Sequence, residues 1–349
     1  MNTEYIKPVL LPRCNIFQKG TNLMGKKVTL ADVAARAGCS PTMVSYVLRN
    51  GESGKSAPAT RKRIYAAVKE LGYRVDYAAR ALRYGDSRMI GVLLPRIGGY
   101  VYELLTALDK SIHQAGYMPL CSFFDTGPDF RKSCAEAMEK MLSMNVAAII
   151  SSTRGIVAPT ATPVIIWGNK MEDRDCVYPD KAGYGQEVIE RVWNLGHRKI
   201  GMTGLLDDVR YVPMVEFLQK QNAFSSEFMF KSPGVQERGS AVLEYFMALP
   251  EMPSVIICHS DELAMGVIRA AHLKGIDVPE KLSVVGFDNL RAGAMMLPSL
   301  ATYDQNFELM AQKLTEVTLN RIKNPELSFQ QLAIPVEFIP GESLSIYSS

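Results

Sequence analysis

The side chains best suited to chemistry with a polyanion lie in one stretch near the start of the chain. Residues 26–85 hold twelve Lys or Arg and four Asp or Glu, a net charge of +8, whereas the whole 349-residue chain carries +3. Residues 1–25 add +2, so the remainder carries −7. A basic segment on an acidic body is expected when a small module binds nucleic acid, although a solvated basic helix would show the same excess.

The residue types that carry enzyme chemistry are scattered. The sequence contains no nucleophile elbow, no P-loop and no metal-ligand cluster, its four His residues are far apart, and its six Cys residues stand singly. We therefore expect no enzyme, no metal and no cofactor. Single cysteines, expected to be small buried side chains, suit a reducing cytoplasm, and the absence of a long apolar run argues against a membrane span.

Two short helices joined by a tight turn account for the first part of the basic segment. Thr29 is expected to cap the first helix, with Asp32 completing a capping box, and Gly38 is expected to end it. Ser40 is expected to cap the second helix, in which Pro41 takes the first position, where its missing N–H costs nothing. This pattern is typical of a helix-turn-helix, whose second helix enters the major groove.

Helical spacing places Val33, Ala34 and Ala37 on the inner face of the first helix, and Val44 and Val47 on that of the second. The opposite side of the second helix is left to meet base edges in the groove. The candidate DNA-binding residues of the two helices and their caps are Thr29, Ser40, Pro41, Thr42, Met43, Ser45, Tyr46 and Arg49.

A third helix is predicted from about Pro58 to Leu71, ended by Gly72. Its basic side chains are available for phosphate contacts, which position a module on DNA without reading the sequence. These side chains are Arg61, Lys62, Arg63 and Lys69.

From residue 88 onward, short apolar runs alternate with amphipathic stretches, which predicts βαβ units and parallel sheets. The runs fall into two groups, so we expect two lobes. Ligands of such folds bind beyond the carboxyl ends of the strands, in a crevice. The expected strands are 89–95, 119–124, 146–152 and 163–168 in the first group, and 199–204, 254–260 and 282–288 in the second.

The stretch VTLADVAARAGCSPTMVSYVL resembles the start of the LacI/GalR family of bacterial transcriptional regulators, whose pattern is V-T-[I/L]-x-D-V-A-x-x-A-G-V-S-x-x-T-V-S-R-V-L. The sequence departs from the family at Met43, where Thr is usual, and at Tyr46, where Arg is usual. Both positions lie on the reading helix, so the family's base preference is not carried over. A tyrosine can donate to a base or a phosphate but cannot make a bidentate contact with guanine.

The segment DYAARALR, residues 76–83, resembles the family's hinge helix. The resemblance implies that Ala79 and Leu82 contact the minor groove, where Leu82 would act as an apolar wedge that kinks the DNA. Packing in a core is the alternative for Leu82.

The resemblance continues through LGHRKI at 195–200, through residues 259–289 and through PSLAT at 298–302. It implies an α/β fold with an all-α helix-turn-helix headpiece and a two-lobed effector domain, built like periplasmic binding proteins with parallel sheets. The expected domains are 1–25, an extension of unclear role; 26–74, the DNA-binding domain; 75–87, hinge helix and linker; and 88–349, the effector and dimerisation domain, with one lobe at about 88–180 and 304–332 and the other at about 181–303 and 333–345.

Candidate effector residues sit at strand ends or match family positions. Asp288 ends a buried strand, where the family has a carboxylate that binds sugar hydroxyls, and a buried carboxylate needs a partner. Gly168 and Ser260 replace the Asp and Asn usual in the family, which indicates an altered pocket. Each candidate aromatic could equally belong to the core or an interface. The full set is Tyr100, Tyr102, Trp167, Asn169, Arg210, Asp288 and Gln305.

These observations predict a cytoplasmic DNA-binding transcriptional regulator, a repressor more than an activator. Its expected partners are a pseudo-palindromic double-stranded operator, a small-molecule effector such as a sugar or sugar derivative, and a second copy of the chain in a homodimer, with a tetramer as the alternative. No membrane partner is expected. A sugar-responsive activator and a solute-binding protein without a regulatory role are the alternatives; the basic segment argues against the second.

Overall fold

The computed structural model describes residues 28–50, 55–74, 87–96, 98–153, 161–204, 208–231 and 239–347. The contacts divide the chain into two compact units, Met1–Asp76 and Tyr77–Ser349. The predicted extension at 1–25 and the predicted hinge, including Ala79 and Leu82, lie outside the described residues, as does the side chain of Arg49.

The described residues of the first unit form three helices: α1 (Leu30–Ala37), α2 (Pro41–Asn50) and α3 (Pro58–Leu71). The local signals in the sequence explain their ends. Thr29 and Asp32 form the expected capping box, and Gly38 ends α1 with φ near +64°, a conformation that glycine adopts without strain. The Ser40 hydroxyl accepts a hydrogen bond from the Met43 N–H at 3.2 Å, so the predicted caps of both short helices are confirmed.

In the described part of this unit, seven side chains from the three helices form the core. They are all fully or nearly fully buried, and they include the stripes predicted on the inner faces of α1 and α2. The core residues are Val33, Ala34, Ala37, Val44, Val47, Ile64 and Ala67.

From Ser87 onward, the described residues of the second unit form a first lobe built on six parallel strands. In chain order its elements are β1 (Met89–Pro95), α4 (Gly99–Gln114), β2 (Met118–Phe124), α5 (Phe130–Ser143), β3 (Ala148–Ser151), β4 (Val164–Trp167) and β5 (Cys176–Pro179), joined later by α11 (Phe307–Lys323) and β11 (Gln331–Ile334). The strand order is β11-β5-β4-β3-β1-β2. Helices α4 and α11 cover one face of the sheet and α5 covers the other.

In the other lobe, the residues that the structure describes form four parallel strands in the order β7-β6-β8-β9. Its elements are α6 (Lys181–Asn194), β6 (Ile200–Gly204), α7 (Tyr211–Lys220), β7 (Met229–Lys231), α8 (Gly239–Met247), β8 (Val255–Ile257), α9 (Asp261–Leu273), β9 (Ser283–Val285) and α10 (Arg291–Ala294). Helices α6 and α7 pack on one face, and α8 and α9 pack on the other. The mixed α/β fold with parallel sheets agrees with the prediction.

The chain passes between the lobes three times. It leaves the first sheet after β5, returns after β10 (Thr302–Asp304), and leaves again between β11 and β12 (Glu337–Ile339). Strands β10 and β12 pair antiparallel beside the crossings. In the part of the chain that is described, no helix is long and apolar enough to cross a membrane.

Candidate functional site

The outward side of α2 begins with a run of exposed side chains. Pro41, Thr42 and Met43 are exposed, whereas Val44 and Val47 on the opposite side are completely buried. Burial of Val44 and Val47 fixes the rotation of the helix about its axis. The side chains of Pro41, Thr42 and Met43 in its first turn therefore face outward. This turn is the part of a helix-turn-helix that meets base edges.

Tyr46 differs from the prediction that it points fully outward. Its ring is half-buried and packs against the core of the first unit. Its hydroxyl oxygen accepts a hydrogen bond from the backbone N–H of Lys55 at 3.0 Å. In this arrangement Tyr46 supports the chain that follows α2, which leaves Thr42 and Met43 as the more accessible side chains of the helix.

The basic side chains of α3 do not share one environment. Lys62, Arg63 and Lys69 are exposed, so they remain suited to phosphate contacts. Arg61 is half-buried, and its guanidinium donates to the Ser56 carbonyl and lies 3.4 Å from the Ser56 hydroxyl. It therefore helps to hold the start of its own helix.

A pocket of about 310 Å³ lies between the two lobes of the second unit, at the carboxyl ends of both parallel sheets. Six of the seven predicted effector residues line it, although they come from five separate places in the chain: Tyr100, Trp167, Asn169, Arg210, Asp288 and Gln305. The seventh, Tyr102, does not. It is 68% exposed and belongs to a shallow surface groove with Leu105 and Phe123, because two residues along a helix turn a side chain away from its neighbour's face.

The carboxylate of Asp288 is 3% exposed and has partners on two sides. The Gln305 side-chain amide donates to Oδ1, and the backbone N–H of Asp261 lies 3.4 Å from Oδ2. Burial, and then the nearby Asp261 carboxylate, raises the pKa of Asp288 well above its usual value. Asp288 itself has φ near +150°, a backbone conformation that the surrounding contacts must hold in place.

The second carboxylate of this pair belongs to Asp261, the buried neighbour of Asp288. It is completely buried at the start of α9. Its Oδ2 accepts the Leu290 N–H at 2.7 Å, and its Oδ1 accepts the Thr302 hydroxyl. Burial raises the pKa of Asp261 to about 6, against the lowering effect of these hydrogen bonds.

Arg210 is held in the pocket wall by Asp208, two residues earlier in the chain. Its Nε and Nη2 donate to the Asp208 carboxylate, with Nη2 at 2.6 Å from Oδ2, and its Nη1 donates to the His259 carbonyl at 2.8 Å. Burial raises the pKa of Asp208, but the hydrogen bond and charge of Arg210 outweigh it and bring the pKa below the usual value. Burial, and then the charge of Arg210, lower the pKa of His259 to about 4, so this histidine is neutral at pH 7.

Aromatic rings supply the apolar part of the wall. The Tyr100 and Trp167 ring centres lie 6.0 Å apart, and Phe287 lies under the Arg210 guanidinium at 5.3 Å. Trp167 is 4% exposed, and its Nε1 has no hydrogen-bond partner among the described residues. A buried donor of this kind favours a ligand or water that accepts a hydrogen bond.

Sequence reasoning missed several residues that line the pocket: Ser152, Lys181, His259, Glu262, Leu263 and Phe287. A usable signal existed for most of them. Ser152, Lys181, His259 and Phe287 follow β3, β5, β8 and β9 by one or two residues, and the crevice of an open α/β sheet lies at those ends. No such signal marked Glu262, which reaches the pocket from the first turn of α9.

Two cysteines and one histidine outside the pocket lie in different environments. Cys121 is exposed, contrary to the expectation of buried cysteines, and Cys39 is half-buried. His197 contacts the Ser254 hydroxyl at 2.8 Å and the Ser345 carbonyl at 3.1 Å, and these contacts indicate a structural role. The described residues bring together no group of His, Cys, Asp and Glu that could hold a metal ion.

Comparison with known proteins agrees with both units. Residues 29–76 match the bacterial regulatory proteins of the lacI family, and residues 189–344 match the periplasmic binding protein-like domain. The transcriptional repressor PurR of Pectobacterium atrosepticum is 30% identical over 313 residues, which cover 84% of this chain and 90% of the relative. PurR of Mannheimia succiniciproducens is 25% identical over 330 residues, which cover 90% and 98%.

Solved structures of similar fold cover most of the chain. The lac repressor dimer bound to operator and the anti-inducer ONPF has a TM-score of 0.76 at 22% identity, over 91% of this chain and 99% of the other. The complex of the transcriptional regulator CelR with cellobiose has a TM-score of 0.65 at 19% identity, over 91% and 100%. The relatives are regulators rather than enzymes, and this chain belongs to the lacI family of bacterial regulatory proteins.

Proposed function

We propose that this DNA-binding regulator is an operator-specific repressor whose affinity for DNA is controlled by a sugar or sugar derivative bound between the two lobes. The observation that carries the proposal is the gathering of Tyr100, Trp167, Arg210, Asp288 and Gln305 around one pocket of about 310 Å³. Pockets of this size, with aromatic walls and a few convergent polar groups, are typical small-molecule sites.

The chemistry of the pocket favours a polyhydroxylated ligand. Sugar hydroxyls both donate and accept hydrogen bonds, while the faces of sugar rings are apolar. Among the residues that line the pocket, Asp288 and Gln305 supply acceptors and donors, and Trp167 and Tyr100 supply apolar surface. Because Asp208 already neutralises Arg210, a neutral ligand would not have to displace an existing ion pair.

The relatives support the regulatory part of the proposal. The Pectobacterium and Mannheimia proteins are both named transcriptional repressors, and structures of similar fold hold cellobiose or ribose. A regulator of this kind acts in the cytoplasm, on a pseudo-palindromic operator that matches a homodimer. An effector favours whichever state of the protein it binds more tightly. A transcriptional activator, whose operator binding the effector strengthens, is therefore the second candidate function.

A two-stage measurement tests this function. A thermal-shift screen of the full chain against sugars, sugar phosphates and nucleobases identifies the effector class, and fluorescence anisotropy with a labelled operator then measures DNA affinity with and without each hit. We expect a sugar to raise the melting temperature and to weaken operator binding. Stabilisation by nucleobases alone would contradict the sugar, and tighter operator binding would favour activation.

A further inference from the structure

A hydrogen bond crosses the pocket rim between the two lobes, in addition to the one that the Lys181 ammonium donates to the Gly168 carbonyl at 2.9 Å. Glu262, in the first turn of α9 in the lobe of the four-stranded sheet, accepts the backbone N–H of Gly99 through Oε1 at 2.8 Å. Gly99 is the first residue of α4, in the lobe of the six-stranded sheet. Any opening of the lobes at this rim must break the bond.

Helix α4 lacks a cap from its own sequence. Its N-cap residue, Gly98, has no side chain, and its first turn contains no acidic residue. The first N–H groups of a helix have no partners within the helix, and they carry the positive end of its dipole. The Glu262 carboxylate therefore supplies from the opposite lobe what a serine or aspartate normally supplies locally.

The close approach depends on glycine at the start of α4. A Cβ on Gly99 would lie 3.1 Å from Leu290 Cδ1 and 3.3 Å from Glu262 Oε1. Gly98 has φ near +64°, and a Cβ there would lie 3.0 Å from the Tyr100 ring. The two glycines thus allow Glu262 and Leu290 to reach the helix end beside the pocket.

We propose that Glu262 is a positioning residue of the effector site, which holds the lobes closed by capping α4 across the cleft. This inference rests on the proposed function, because closure matters only if a ligand occupies the pocket. Gly98, Tyr100 and Glu262 all line that pocket. Loss of a helix cap typically shifts an equilibrium by about fivefold, so removing the carboxylate lowers the ratio of closed to open protein by about this factor.

Trp167 reports on closure without any effector. It is 4% exposed in the pocket wall, and the chain has only one other tryptophan, Trp193. In the full-length Trp193→Phe protein, acrylamide quenching of fluorescence measures the accessibility of Trp167 alone. We expect Glu262→Ala in this background to raise the quenching constant by about two- to fivefold, because the pocket side of the ring becomes exposed as the lobes separate.

Two further variants separate the cap from general effects. Glu262→Gln keeps an oxygen that accepts the Gly99 N–H but loses the charge, so its quenching constant should fall between those of the parent and the alanine variant. Glu244→Ala removes an exposed glutamate of the same lobe that pairs with Lys274, and it should quench like the parent. Circular dichroism checks that each variant is folded, and Glu262→Gln carries the test if the alanine variant is not.

The assignment would be overturned if the parent and Glu262→Ala had the same quenching constant. It would also be overturned if Glu244→Ala raised the quenching constant as much as Glu262→Ala does. Because acrylamide is the only probe, these outcomes do not depend on finding an effector. A failed effector screen would count against the proposed function. An unchanged quenching constant would count against the proposed role of Glu262 in holding the lobes closed.

Discussion

At the scale of single residues, two buried carboxylates interact beside the pocket: Asp288, which lines it, and Asp261 behind it. Burial raises the pKa of both, and for Asp288 the neighbouring Asp261 adds to the effect. Such a pair costs folding free energy unless hydrogen bonds offset it. Gln305, Leu290 and Thr302 supply those bonds, so the site is held by a network rather than by any single contact.

The raised pKa of Asp261 makes a prediction about stability and pH. With a folded pKa of about 6 against 3.8, protonation stabilises the folded state at low pH, and this contribution is lost as the pH rises from about 4 through 6. Asp261→Asn cannot ionise. Between pH 4.5 and 7.5, its free energy of unfolding should therefore gain about 2 kcal/mol relative to the parent, as measured by urea denaturation.

The comparison with the parent is needed because His259 acts in the opposite sense. Its folded pKa of about 4 lies below the ordinary 6.5, so its contribution to stability is present above pH 6.5 and is lost as the pH falls through 4. His259 is common to both proteins and cancels in the difference. Asp288 does not cancel: loss of the Asp261 charge also reduces the upward shift in the pKa of Asp288, which adds to the gain in the same sense. A difference that does not change with pH would show that Asp261 is ionised alike in the folded and unfolded states.

Asp288 is the residue on which effector binding should depend most. Asp288→Ala removes the carboxylate that faces the pocket and leaves the Gln305 amide without its acceptor. We expect the heat of effector binding to disappear in isothermal titration calorimetry, with operator affinity in the absence of effector unchanged. The same heat as in the parent would refute the assignment, and Tyr102→Ala, outside the pocket, is the matched control.

At the scale of elements, the caps of α1 and α2 fix where the two short helices of the first unit begin. The Thr29 hydroxyl donates to Asp32 Oδ2 at 2.7 Å and accepts the Asp32 N–H at 3.3 Å. Thr29→Ala should lower the free energy of unfolding of the head by about 1 kcal/mol, measured by thermal melting. Thr42→Ala, on the exposed turn of α2, should leave the melting temperature unchanged but weaken operator binding. A lower melting temperature with unchanged operator binding would contradict the proposed role of Thr42 in DNA contact.

The predicted hinge helix remains a proposal carried by the family resemblance. Leu82→Ala should weaken binding to the operator much more than binding to unrelated DNA, because an apolar wedge acts only where the duplex is kinked. Competition gel shifts with both DNAs measure the two affinities. Equal losses would mean that no wedge is inserted.

At the scale of the whole molecule, the two compact units predict separable activities. Removal of residues 1–85 deletes the helices that are proposed to contact DNA and retains both lobes with the pocket. The shortened protein should lose operator binding in anisotropy measurements while it keeps effector binding in calorimetry. Retained sequence-specific DNA binding would contradict the assignment of DNA binding and effector binding to separate units.

The sequence by itself determined the features that depend on neighbours a few residues apart. Caps at Thr29 and Ser40, the turn at Gly38 and the end of α3 at Gly72 were all predictable, because helix termini are satisfied locally. Long apolar runs likewise predicted the central strands. Strands of three or four residues at the crossings, such as β5, β10 and β12, lack enough alternation to show a period.

Only the tertiary structure decided which distant residues meet. It brought Lys181, His259 and Glu262 to the pocket, turned Tyr102 away from it, and packed Tyr46 against the core of the head. The cap of α4 comes from a residue 163 positions away, so no local pattern could reveal it. Backbone groups must find partners wherever the fold places them, and in this protein that requirement joins the two lobes at the rim of the effector pocket.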